Sequence, residues 1–145
     1  MWTSNIQSVI FSLVKNEVSK VLQTEYSDLH FTTSDKAQTV PKFPSVYIHE
    51  IGSIEQGMDL EGIDVNAILC NIQIEVTDNI SQERVRKTMN EVLRVMKKMR
   101  FSVVLMPEYQ NTTETYRQVA RFRRVIGKGD SLSVNQSRNA LFLLL

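Results

Sequence analysis

Apolar residues near the start of the chain recur every three or four positions. Ile6, Val9, Ile10, Leu13, Val14, Val18, Val21 and Leu22 follow this spacing, which predicts one stripe of an α-helix. Ser4 or Asn5 can cap its start, and Gln7, Lys15, Asn16, Glu17 and Lys20 make up its polar face. So weakly charged a polar face suits a helix packing on its own core, not one lying on a membrane.

Further along, the period changes to two. Ile68, Cys70, Ile72, Ile74 and Val76 alternate with Leu69, Asn71, Gln73, Glu75 and Thr77. This is the pattern of an antiparallel strand with one buried face, and it assigns Cys70 to the core. Asp78-Asn79-Ile80-Ser81 then turns into a second helix capped by Ser81. Val85, Met89, Val92, Leu93, Met96 and Met99 form its buried stripe, while Lys97, Lys98 and Arg100 gather in the last turn, where they suit the helix dipole.

The remaining elements are shorter. Ser27 to Phe31 reads as a brief strand followed by a turn at Thr32-Thr33-Ser34-Asp35. Pro41 and Pro44 force an extended approach to a strand from Ser45 to Ile51, with Val46 and Ile48 on one face and Tyr47, His49 and Ile51 on the other. Phe101 to Met106 reads as a strand that Pro107 ends. Thr115 to Ile126 is the last strand: Arg117, Val119, Arg121, Arg123 and Val125 share one face, and Tyr116, Gln118, Ala120, Phe122 and Arg124 the other.

Two segments do not fit the packed pattern. Residues 52–62, punctuated by glycine, form a long inter-strand arm carrying Ile54, Met58 and Leu60, side chains that suit a docking partner. The alternative is that the flanking strands extend into this segment. Residues 131–145 read as a tail, polar at first and ending in Ala140-Leu141-Phe142-Leu143-Leu144-Leu145. Residues 1–130 are then a single domain, as the 145-residue length suggests.

Composition, 42% hydrophobic and 23% charged, is that of an ordinary globular chain. Met1 to Asn5 shows no secretory signal, and the longest apolar run is too short to span a bilayer, so a soluble intracellular product is expected. Charge is more informative. Residues 1–80 hold four Lys/Arg against eleven Asp/Glu, whereas residues 81–145 hold thirteen against five. No Lys or Arg occurs from Phe43 to Glu83, a stretch that includes Glu50, Glu55, Asp59 and Glu61. A subunit with one acidic and one basic face can pair head to tail with its copies, and such contacts close into rings. The alternative is that folding interleaves the two signs.

No catalytic pattern accompanies this sorting. His30 and His49 lack the spacing of a zinc site, the single cysteine precludes an internal disulfide, and GxSxG, GxxxxGK[ST] and GxGxxG are all missing. The expectation is therefore a protein that is not an enzyme and carries no cofactor or metal. Arg117, Arg121, Arg123 and Arg124, with Lys128 beyond them, can bind phosphates, and Tyr116 and Phe122 can stack on bases. A small nucleic-acid-binding module using the basic 117–128 strand is one reading. The near-neutral total charge favours the other, in which these arginines pair with carboxylates of a neighbouring subunit.

Taken in order, the chain resembles the tail terminators of long-tailed bacteriophages. The likeness lies in the opening helix, Pro41-Lys42-Phe43-Pro44-Ser45-Val46-Tyr47-Ile48, and Ile72-Gln73-Ile74-Glu75-Val76-Thr77 before a helix. It continues through Phe101-Ser102-Val103-Val104, Tyr116-Arg117 and Arg121-Phe122-Arg123-Arg124-Val125-Ile126-Gly127, covering most of residues 5–130. The resemblance implies an α+β fold, a mostly antiparallel sheet with two main helices packed on it, assembling as a hexameric ring. That ring would cap the tail tube, end its polymerisation and offer a surface to the head–tail connector or stopper protein. DNA would pass through its bore without sequence-specific binding. The implied location is the tail or neck of a virion, after assembly in the host cytoplasm, with no membrane partner. Another head–tail connector or tail-completion protein is the neighbouring possibility. The family has no motif that assigns single residues, so the interface candidates come from the charge and loop readings: Arg117, Arg121, Arg123, Arg124, Glu50, Glu55, Asp59, Glu61, Ile54, Met58 and Leu60.

Overall fold

The computed structural model describes residues 5–34, 41–58, 65–127, 129–130 and 132. In chain order they form α1 (Ile6–Leu22), β1 (His30–Thr32), β2 (Ser45–Glu50), β3 (Ile54–Met58), β4 (Val65–Asp78), α2 (Gln82–Lys98), β5 (Ser102–Tyr109) and β6 (Tyr116–Gly127). The fold is α+β: two helices and one mixed, mostly antiparallel sheet of six strands.

β4, with its 14 alternating residues, organises the sheet. Along one side it pairs antiparallel with β6, from Ala67 opposite Gly127 to Asp78 opposite Tyr116. The other side is shared by β2, against Ile72–Thr77, and β3, against Val65–Leu69. β1 adds in parallel to β2, and β5 adds antiparallel to β6 as the far edge. β2 and β3 are thus one interrupted strand on the same flank of β4. At the break, Gly52 adopts φ +59, a conformation that a side chain resists.

Part of the expected arm is therefore sheet. Ile54–Met58 continue the ladder, so the extension of the strands into this segment is what occurs for these five residues. Asp59, Leu60 and Glu61 lie outside the described residues, as does most of the expected tail. Pro107 also does not end its strand: β5 runs through it to Tyr109. An edge strand has one row of N–H groups facing away from the ladder, and the pairing is irregular between Leu105 and Glu108, where the missing donor costs least.

Both helices pack on one face of the sheet. Val46 and Ile48 of β2, Ile68 through Val76 in alternation, and Ala120, Phe122 and Ile126 of β6 meet Ile10, Val14, Val18 and Leu22 of α1. α2 adds Val85, Met89, Val92, Val95 and Met96, with Met99 just beyond its end. Each such side chain contributes roughly 1.5–3 kcal/mol on burial. The stripe on α1 is narrower than its spacing suggests, because Val9 and Val21 remain 39% and 47% exposed. The cap of α2 forms as expected: Ser81 Oγ accepts from the Arg84 N–H at 3.3 Å. Asn5 precedes α1 without a side-chain cap bond.

Candidate functional site

Residues paired across adjacent strands point to the same side of the sheet, so register assigns its other face, which neither helix covers. Rows of paired residues cross it. Ile54, Leu69 and Val125 form an apolar row between that of Gln56, Ala67 and Gly127 and that of Asn71 with Arg123. Next come His49, Gln73 and Arg121, then Tyr47, Glu75 and Val119, then Ser45, Thr77 and Arg117. Ile54 and Val125 are more than half exposed.

The polar rows are tied by side-chain bonds. Arg117 pairs with Glu75 through a short guanidinium–carboxylate contact. Glu75 also accepts from Gln73 at 3.0 Å and lies 3.1 Å from His49 Nε2. The His49 ring stacks on Tyr47 with centroids 4.2 Å apart and planes 5° from parallel. Burial alone would raise the Glu75 carboxyl, but bonds from Arg117, Gln73 and His49, with the Arg117 charge, hold it below the ordinary carboxylate value.

Arg121 and Arg123 sit differently. Their Nε atoms donate to Gln73 at 2.8 Å and to Asn71 at 3.1 Å, both neutral amides. Among the described residues neither arginine has a carboxylate partner, and both are exposed. The face therefore presents two arginines whose charge no described carboxylate neutralises, beside an apolar row of which Ile54 and Val125 are exposed.

The residues singled out by the sequence divide accordingly. Arg117, Arg121, Arg123 and Ile54 come together on this face. Arg124 does not: it lies on the helix side, its side chain 9% exposed and bonded to Asp130 at 2.6 Å. Its one-residue offset from Arg123 places it across the sheet, and burial removes it from any surface contact. Glu50 also lies on the helix side, where it accepts from Ser53 at 2.8 Å and approaches Cys70 Sγ at 3.9 Å. Glu55, opposite buried Ile68, belongs to that side too and is exposed. Met58 ends β3, while Asp59, Leu60 and Glu61 fall outside the described residues. Tyr47, His49, Gln73 and Asn71 are added by the structure. Alternation in β2 and β4 placed each on a polar face, but only register puts them beside the arginines.

Other polar clusters are structural. Asp78, fully buried, accepts from the Ile80 and Ser81 N–H groups at 3.0 Å and pairs with Arg84 at 3.2 Å, tying β4 to the start of α2. The Arg84 guanidinium lies 4.8 Å from the Tyr26 ring centroid. Burial, aided by the Glu50 charge, pushes the Cys70 thiol up to about 12, so it is not a thiolate at neutral pH. Among the described residues no three His, Cys, Asp or Glu side chains gather as a metal site, and no helix is long and apolar enough to cross a membrane. Comparison with known families finds no family model that matches the chain, and comparison with curated proteins finds no matching sequence.

Proposed function

We propose that this chain is a structural subunit of a phage neck that assembles head to tail into a ring and caps the tail tube. The observation that carries the reading is the open sheet face, where among the described residues Arg121 and Arg123 have only amide partners, next to Ile54 and Val125, both more than half exposed. The same chain holds a stretch from Phe43 to Glu83 without a single Lys or Arg. Desolvating a guanidinium is costly unless a carboxylate meets it, so this face fits an acidic surface. On this reading a neighbouring copy presents Glu50 and Glu55, which are exposed on the other side of the sheet. Arg117 takes no direct part, because Glu75 already neutralises it. Two unlike faces per subunit give a heterologous contact, which closes into a ring when the rotation per subunit allows. The resemblance in sequence supplies the hexameric count, the tube and the connector as partners.

Light scattering coupled to size exclusion tests the assembly. The reading expects a discrete species near six times the 16.7 kDa subunit mass that dissociates as salt rises. A monomer at every salt concentration that also fails to bind tail-tube protein contradicts it.

A second reading has one specific observation in its favour. The stacked Tyr47 and His49 rings share the face with Arg121 and Arg123, and aromatic stacks beside cations suit single-stranded nucleic acid. It expects oligonucleotide binding that weakens steeply with salt. Undiminished binding by an Arg121→Glu/Arg123→Glu variant removes it.

A further inference from the structure

Besides the open sheet face, the described residues leave apolar surface unsatisfied along the first turns of α1. Val9 is 39% exposed there, although it belongs to the apolar stripe. Two adjoining hollows meet at Asn5 and Val9. One, of about 190 Å³, is lined by Ile6, Val9, Ile126 and Leu132. The other, a shallow groove of about 460 Å³, runs on past Ser8 and Ser12 to Leu13.

Leu132 sits in the first hollow and is buried to 5% exposure. Its N–H donates to Asp130 Oδ1 at 3.0 Å, and Asp130 is in turn held by Arg124 at 2.6 Å. Leu132, the last described residue, is thus held at the mouth of the groove by its own burial and by the Arg124–Asp130 ion pair. Eight positions later the sequence turns wholly apolar, with Ala140-Leu141-Phe142-Leu143-Leu144-Leu145. Residues 133–145 lie outside the described residues.

We propose that residues 140–145 dock in this groove on α1 of their own subunit. Eight extended residues reach up to about 27 Å. The helix from Asn5 to Leu13 is only about 12 Å long, so the tether spans the whole groove. An attachment point at the groove's mouth gives the segment an effective concentration on the order of millimolar, which a second copy must exceed to displace it. The polar rim, Asn5, Ser8 and Ser12, carries no charge, as an uncharged apolar segment requires. This contact involves neither Arg121 nor Arg123, so it stands apart from ring assembly.

Engineered cysteine pairs in the full chain test it, since Cys70 is buried and inert. Val9→Cys with Phe142→Cys places a thiol in the groove and one in the segment. Val21→Cys with Phe142→Cys is the control. Val21 is exposed on the same helix, about 18 Å from Val9, and lies within the tether's reach. Docking predicts that the first pair closes within one chain about tenfold faster than the second under mild oxidation. Equal rates, or a bond between chains, overturn the proposal. A single Val9→Cys variant gives an independent readout by maleimide labelling. Ending that chain at Asn139 is expected to speed labelling about tenfold. An unchanged rate overturns the proposal and leaves the groove empty or covered by another segment, such as the one that holds Trp2.

Discussion

The two faces of one sheet obey different physics. Phe122, Ala120 and Ile74 point toward the helices and are fully buried, while their neighbours Arg123, Arg121 and Gln73 lie across the sheet among polar and charged groups. On the covered face, identity is dictated by volume and burial, and each residue is held by many weak contacts. On the open face a few hydrogen bonds fix geometry, and two arginines keep a charge that no described carboxylate answers. The first face makes the fold, and the second is free to serve assembly. Substitutions on the two sides should therefore separate stability from association.

The largest loss of stability is expected on the covered face. Phe122→Ala removes a fully buried ring at the centre of the sheet and should cost about 3–5 kcal/mol in denaturant unfolding. Asp78→Ala strips a buried carboxylate from Arg84 and from two backbone N–H groups at the start of α2. It should cost about 3 kcal/mol, and a loss under 1 kcal/mol would mean the ion pair does not secure the helix.

A smaller effect belongs to the open face. Glu75→Gln keeps the shape but weakens the bonds to Arg117 and His49, with an expected loss of about 1–2 kcal/mol at neutral pH. The folded carboxyl titrates below its unfolded value, so its contribution is present above the ordinary value of 4.5. It disappears as pH falls through the lower folded value, and the variant and the parent chain should then converge in stability. A gap that persists in acid would place the effect outside this titration. The smallest effect is expected for Arg121→Glu with Arg123→Glu, within about 0.5 kcal/mol per site in monomer stability, since both side chains are exposed and bonded only to amides.

The same contrast explains what the sequence could tell. Period-two alternation from Ile68 to Val76 and the Ser81 cap followed by the Val85–Met99 stripe identified the covered face, because burial writes itself into the spacing of apolar residues. The arginines of β6 were visible too, and alternation already set Arg124 apart from the other three. Their surroundings were not visible. Which strand pairs with which is settled by contacts far apart in the chain, so Glu75 beside Arg117 and Asn71 beside Arg123 appear only once β4 and β6 are in register. Pro107 misled because its cost depends on whether a strand is central or at an edge, a property of the sheet and not of the residue. Val9 and Val21 fit the helical period yet stay exposed, since spacing places a residue on a stripe without saying how wide the covering surface is.

The most direct test of the central claim compares the parent chain with its Arg121→Glu/Arg123→Glu variant by light scattering at matched concentration and low salt, after denaturant unfolding has shown equal monomer stability. The account predicts a discrete oligomer for the parent chain and a monomer of 16.7 kDa for the variant. An oligomer of the same mass and salt response in both would contradict it, because the open face would then have no part in assembly.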